Sequence, residues 1–157
     1  MMQQFTVLNS KEVKHIKEAL VKQFGTAPQE DYAYLKTAKD KLFIINKDLG
    51  KLELKNLIVD KVGLYFGEIM DNGEVRLSKE GAQLVIREAS GTLKGTVELS
   101  KEEVKRYFEG VDLERDWGVE NKMVLLLYEK DVLGCAKYKE GKILNFLPKI
   151  HRGEVII

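Results

Sequence analysis

Residues 132–152 read VLGCAKYKEGKILNFLPKIHR, an apolar strand that runs straight into a cationic hairpin. The strand carries Gly134, where glycine serves either an unusual backbone dihedral or a close neighbour. Between Lys137 and Arg152 stand five formal cations, Lys137, Lys139, Lys142, Lys149 and Arg152, against one carboxylate, Glu140, with His151 as a further donor. Two explanations are open. Lysines on a solvated strand edge deter sheet-to-sheet aggregation, whereas cations on a stiff hairpin make a face that attracts phosphates.

Immediately upstream, Met123 to Tyr128 is a continuous apolar run of strand length and predicts a fully buried central strand. Val132 to Tyr138 should pair with it through the turn Glu129 to Asp131, and Glu140-Gly141 should turn a second hairpin into Ile143 to Phe146. Val155 to Ile157 could close the sheet. Further back, Thr96 to Leu99 reads as extended. Ser100 with Glu103 forms a capping box flanked by a Leu99–Val104 staple, and Gly110 stops the helix. That helix turns Val104, Tyr107 and Phe108 to the core and leaves Lys101, Lys105 and Arg106 to solvent. Asp112 to Glu120 reads as a loop. Its Trp117 has two roles open to it, a core or lid side chain, the commoner use of a lone tryptophan, or a base-stacking platform.

The amino-terminal half mixes helix and antiparallel strand. Asn9 and Glu12 suggest a capping box, with Val13, Ile16, Leu20 and Phe24 at helical spacing and Gly25 as the stop. His15 lies off this stripe, with no neighbours that would make a ligand set. Tyr32 to Leu35 and Leu42 to Ile45 read as strands joined at Lys39-Asp40, and Asp48 could cap a short helix through Leu49 and Leu52. Val62 to Ile69 is a third strand, interrupted by Gly63 and Gly67. Asp71-Asn72-Gly73 then predicts a hairpin into Glu74 to Leu77. Ser78 caps a helix through Ala82, Leu84, Val85 and Ile86, although Gly81 in its first turn is unfavourable there. The small residues of EASGTLKG, 88–95, place a boundary between residues 1–92 and 93–157.

Composition narrows the chemistry. The chain has 157 residues, 44% hydrophobic and 32% charged, with 26 Lys and Arg against 25 Asp and Glu, so its formal net charge of +1 does not by itself predict a nucleic-acid partner. Any electrostatic attraction must be local. One cysteine, Cys135, and two histidines make a disulfide framework or a zinc site a poor fit, and a reducing, cytoplasmic setting is expected. No window approaches a membrane span. Cys135 sits in an apolar strand without a base beside it, and Ser10, Ser78 and Ser100 are better explained as helix caps than as nucleophiles. There is no GxSxG, GxGxxG or GxxxxGK[ST], so no catalytic residue, metal or cofactor is expected.

GTVELSKEEVKRYFEGVDL, 95–113, followed by MVLLLYEKDVLGCAKYKEGKILNFLPKIHR, 123–152, resembles the PUA-like RNA-binding tail of the Fmu/Sun-type rRNA cytosine methyltransferases and of related small archaeal proteins. The resemblance rests on Gly95, the Leu99-Ser100 cap, Gly110 with Leu113, the Leu133-Gly134 step, and Lys142, Asn145, Pro148, Lys149 and Arg152. DKLFIINKDLGKLELKNL, 40–57, leading into VGLYFGEI, 62–69, resembles the first domain of archaeal and eukaryotic PUA factors of pre-ribosome maturation. These resemblances imply an α+β chain, an amino-terminal mixed α/β subdomain followed by a PUA-like β pseudobarrel. They imply a pseudobarrel that binds structured rRNA or tRNA through a basic surface, often beside a ribosome-assembly or modification protein.

Carried over residue by residue, the resemblance implies that Lys142, Lys149 and Arg152 contact phosphates, and that Asn145 either bonds RNA or fixes the backbone of its turn. Lys137 and Lys139 join them because residues two apart on a strand share a face. His151 is added as a donor, and Lys105 and Arg106 as a further basic contribution. Methyl transfer is not carried over, since the chain lacks the catalytic methyltransferase domain. The expectation is a non-catalytic RNA-binding protein of ribosome biogenesis or RNA modification. The alternatives are a protein-interaction adaptor in such a complex, or an RNA-modifying enzyme with an unrecognised site.

Overall fold

Ten strands and three helices form among the described residues of the computed structural model, 5–46, 63–118, 120–145 and 153. They fall into two compact units, Met1–Lys94 and Gly95–Ile157. The expected helix near Asp48 to Leu52, the start of the third strand at Val62, Phe146 and the segment Val155 to Ile157 lie outside the described residues.

The first unit is an antiparallel meander of β1 (Thr6–Val7), β2 (Tyr32–Lys36), β3 (Lys41–Asn46), β4 (Leu64–Ile69) and β5 (Val75–Leu77), in that spatial order. Its first helix, α1 (Ser10–Phe24), begins at a reciprocal box. The Asn9 side chain accepts from the Glu12 N–H, and the Glu12 carboxylate accepts from the Asn9 N–H. Gly25 ends it at φ 81°. Ile16, Leu20 and Phe24 of α1 are buried. Gln23 then behaves like a strand residue, because its amide donates to the Val75 carbonyl at 2.8 Å and accepts from the Val75 N–H at 2.8 Å. This pins α1 to the edge strand β5.

Asn72-Gly73 does turn the β4–β5 hairpin, but through a three-residue loop. The Gly73 N–H donates to Met70, the Met70 N–H donates to Glu74, and of the turn residues only Gly73 has positive φ. That is a type I turn with a glycine bulge, and no left-handed residue is needed at Asn72. The Ser78-capped helix, α2 (Lys79–Arg87), keeps Gly81 for a steric reason. A Cβ there would lie 2.1 Å from the Phe66 carbonyl oxygen, so glycine lets the first turn of α2 lie against β4.

The second unit is a sheet of order β6 (Thr96–Glu98), β8 (Lys122–Tyr128), β9 (Asp131–Lys139), β10 (Lys142–Leu144), β7 (Leu113–Glu114). β6 runs parallel to β8, and the other pairs are antiparallel. Between β6 and β7 lies α3 (Lys101–Phe108), started by the Ser100–Glu103 box. Val104 and Tyr107 of α3 pack with Val124, Leu126, Ala136, Tyr138 and Ile143 into one core. Met123 and Leu125 alternate to the other face of β8 and are also buried, so the central strand is dry on both sides. The chain is thus mixed α and β, and this curled five-stranded sheet is compatible with a PUA-like pseudobarrel. β7 occupies the stretch expected to be only loop, and the β6–β8 pairing joins segments that no local pattern connects.

The close approach at Gly81 is testable. Alanine for glycine at an unobstructed helix site stabilises by up to about 1 kcal/mol, whereas Gly81→Ala should destabilise by about 1–3 kcal/mol because the Phe66 carbonyl must move. A urea midpoint for Gly81→Ala at or above that of the parent protein would contradict the packing of α2 on β4.

Candidate nucleic-acid interface

The loop between β9 and β10 has only two residues, Glu140 at φ 48° and Gly141 at φ 83°. Two successive left-handed residues make the type I′ turn whose twist matches that of paired strands, and it fixes the register Lys139 to Lys142, Tyr138 to Ile143 and Lys137 to Leu144. Since Ala136, Tyr138 and Ile143 enter the core under α3, alternation sends Lys137, Lys139 and Lys142 to the opposite face. Lys139 and Lys142 are exposed and Lys137 is half-buried. None of the three forms an ion pair among the described residues.

This arrangement weighs against edge protection. β9 and β10 are interior strands, β10 lying between β9 and β7, so their lysines guard no open edge. Lys139 and Lys142 instead face each other directly, and Glu114 of β7 stands opposite Lys142 on its other side.

The remaining expected residues separate. Lys105 and Arg106 lie on α3, which packs on the Tyr138 side of the sheet, so the fold does not bring them together with the hairpin lysines. Lys149, His151 and Arg152 lie outside the described residues. Asn145 turns inward. Its backbone N–H donates to Asp112 at 2.7 Å, and its side-chain amide donates to the carbonyls of Tyr107 at 2.6 Å and Val111 at 3.1 Å. The Tyr107 carbonyl at the end of α3 also accepts from the Gly110 N–H at 3.0 Å, so Asn145 adds a second donor there and ties in Val111 on the way from α3 to β7. Of the two roles open to it in the sequence, the geometry supports fixing backbone, although the backbone fixed is a distant one.

Three residues outside the expected set gather at the same end of the sheet. The Arg115 N–H donates to the Gly141 carbonyl at 2.9 Å, beside the hairpin turn. The Arg115 guanidinium pairs with Glu103 and, chiefly through that hydrogen bond, holds the Glu103 carboxyl below its usual range. Trp117 is half-buried against Tyr138, with ring centroids 4.9 Å apart. Lys122, in register with Tyr138, places its ammonium 4.8 Å from the centre of the Trp117 ring. Nothing periodic marks this cluster; its one sequence signal is a tryptophan between two cations, Arg115 and Lys122.

Among the described residues no group of His, Cys, Asp and Glu could hold a metal ion, and Cys135 is buried. No helix among them is long and apolar enough to cross a membrane.

Removing the Asn145 amide separates its two roles. Asn145→Ala should lower stability by about 1–3 kcal/mol, the loss of two side-chain hydrogen bonds, as read from urea unfolding. Unchanged stability with a large loss of RNA affinity would return this side chain to the RNA-contacting set.

Residues 94–152 match the family model described as the methyltransferase RsmF PUA domain. No curated protein matches the chain. The match covers β6 through β10 and continues past the described hairpin. The carboxy-terminal part of this chain is therefore a PUA-like domain resembling the tail of the Fmu/Sun-type methyltransferases, and a PUA domain suggests RNA binding.

Proposed function

We propose that this is a non-catalytic RNA-binding protein that positions rRNA or tRNA during ribosome biogenesis or RNA modification in the cytoplasm. The observation that carries the reading is the grouping of Lys137, Lys139 and Lys142 on one face of interior strands, none of them in an ion pair among the described residues although Glu114 stands opposite Lys142. A phosphate oxygen accepts charge-assisted hydrogen bonds from these ammonium groups, and the type I′ turn spares the hairpin the entropy of ordering when RNA binds. Lys149, His151 and Arg152, which follow in sequence, are assigned to the same RNA-binding set, and Lys105 and Arg106 could contribute only from the α3 side. Residues 1–92 serve as a separate domain from 93–157, available to a ribosome-assembly or modification protein.

If about four cations touch phosphates of a largely single-stranded site, log affinity should fall with log salt at a slope of about −3. Fluorescence anisotropy with labelled rRNA or tRNA fragments across a salt series measures this. Lys137→Ala with Lys139→Ala and Lys142→Ala should bring the slope to about −1, whereas Lys105→Ala with Arg106→Ala should alter it less. Binding that is indifferent to salt would sink the phosphate-binding reading. An equal loss from the α3 pair would move the RNA to the helix side.

A further inference from the structure

We propose that Trp117 is a stacking subsite for one unpaired base of the bound RNA, with Lys122 as the contact for an adjoining phosphate; this rests on the RNA-binding reading above. Three features carry it. The first is rigidity. The Trp117 N–H donates to the Tyr138 hydroxyl at 3.0 Å, and that hydroxyl donates to the Gly118 carbonyl at 2.8 Å, so one core side chain grips the backbone on either side of the ring's attachment. A ring on a pinned backbone offers its face with little entropy left to lose.

The second feature is charge. A tryptophan that merely lids a core has no need of cations, yet the Lys122 ammonium stands 4.8 Å from this ring's centre and the Arg115 guanidinium carbon 5.9 Å from it. Arg115 is held by Glu103. Lys122 is exposed, and a four-carbon stem lets it yield the ring to a base while staying within reach of that nucleotide's phosphate. The exchange is favourable in magnitude. An exposed cation–π contact is worth about 2- to 5-fold in an equilibrium, and a base on an aromatic ring about 5- to 150-fold.

The third feature is place. Lys122 is in register with Tyr138, the residue before Lys139, and Arg115 bonds to Gly141 in the turn that separates Lys139 from Lys142. The ring and the lysine pair thus flank one end of one hairpin, on its two faces. An RNA strand crossing that end meets phosphate contacts on one face and a stacking ring on the other. Stacking on Trp117 requires a base free of its partner, so the ligand class is RNA with an unpaired nucleotide, and a continuous duplex is excluded from this subsite.

The chain has one tryptophan, so its intrinsic fluorescence reports on this ring alone. Titration of the whole protein with a short unlabelled single-stranded oligoadenylate should quench that fluorescence along the binding curve given by anisotropy of the labelled oligomer. A blunt RNA duplex of the same length should not quench it. Trp117→Ala should weaken single-strand binding by about 5-fold or more, Trp117→Phe should retain most of it, and Lys122→Ala should lower the salt slope without abolishing quenching. Circular dichroism of Trp117→Ala guards against misfolding, and the quenching experiment on the unaltered protein stands whatever that variant does. Binding of the single strand with no change in fluorescence overturns the stacking subsite and leaves the RNA-binding reading intact. Absence of binding by either RNA overturns both.

Discussion

The second unit depends on a single inserted residue. Along the β8–β9 ladder Leu126 pairs with Gly134 and Leu127 with Val132, so Leu133 has no partner opposite and β9 bulges there. The bulge is possible because Gly134 sits at φ 145°, where side chains are rarely tolerated, and open space surrounds the position. A strand's faces have a period of two, so one residue more or less exchanges them completely. With the bulge in place, Leu133 and Tyr128 pack on the α3 core together with Ala136 and Tyr138, while Lys137 and Lys139 face away. Without it, either the tyrosine or the first half of the strand would leave the core. Lysine would then have to enter, at a desolvation cost that no pairing here would offset.

Tyr138 shows how that register reaches the surface. Its ring is fully buried, yet its hydroxyl accepts from Trp117 and donates to Gly118, so the loop after β7 is held by the core itself. β7 in turn pairs with β10, placing Glu114 opposite Lys142 and making the lysine hairpin interior to the sheet. Core, hairpin and loop are therefore one mechanical object. A surface assembled this way presents its cations and its ring without first having to fold a loop around a ligand.

Much of this was legible in the sequence wherever the determinant was local. The boxes at Asn9 and Ser100, the stops at Gly25 and Gly110, and the turns at Asn72-Gly73 and Glu140-Gly141 each act within about five residues, and all are present. Partners far along the chain were not legible. Gly81 looked only like a weak helix residue, because its reason is a carbonyl on β4. Asn145 looked like one polar residue in a basic run, because the carbonyls it satisfies lie at Tyr107 and Val111. The two-residue β7 shows no alternation, and the parallel β6–β8 pair has no turn to announce it. The grouping of Lys137, Lys139 and Lys142 was readable from period two, whereas their separation from Lys105 and Arg106 required knowing which face α3 covers.

A formal net charge of +1 gives no global attraction for a polyanionic ligand, and the resolution lies in distance. Charges more than about 8 Å apart in physiological salt scarcely feel one another, so the protein's total charge says little about any one patch. Residues directly opposite on paired strands stand about 5 Å apart at Cβ, well inside that screening length. Lys139 and Lys142 therefore share one patch, with Glu114 opposite Lys142, and the sheet, held by burial on the other face of the same hairpin, keeps them together. Folding has in this sense gathered Lys137, Lys139 and Lys142 on one face, three cations beside the single carboxylate Glu114 in the paired register. An anion that binds there meets lysines whose placement the register of β9 fixes, so its binding draws on that register as much as on the lysines themselves.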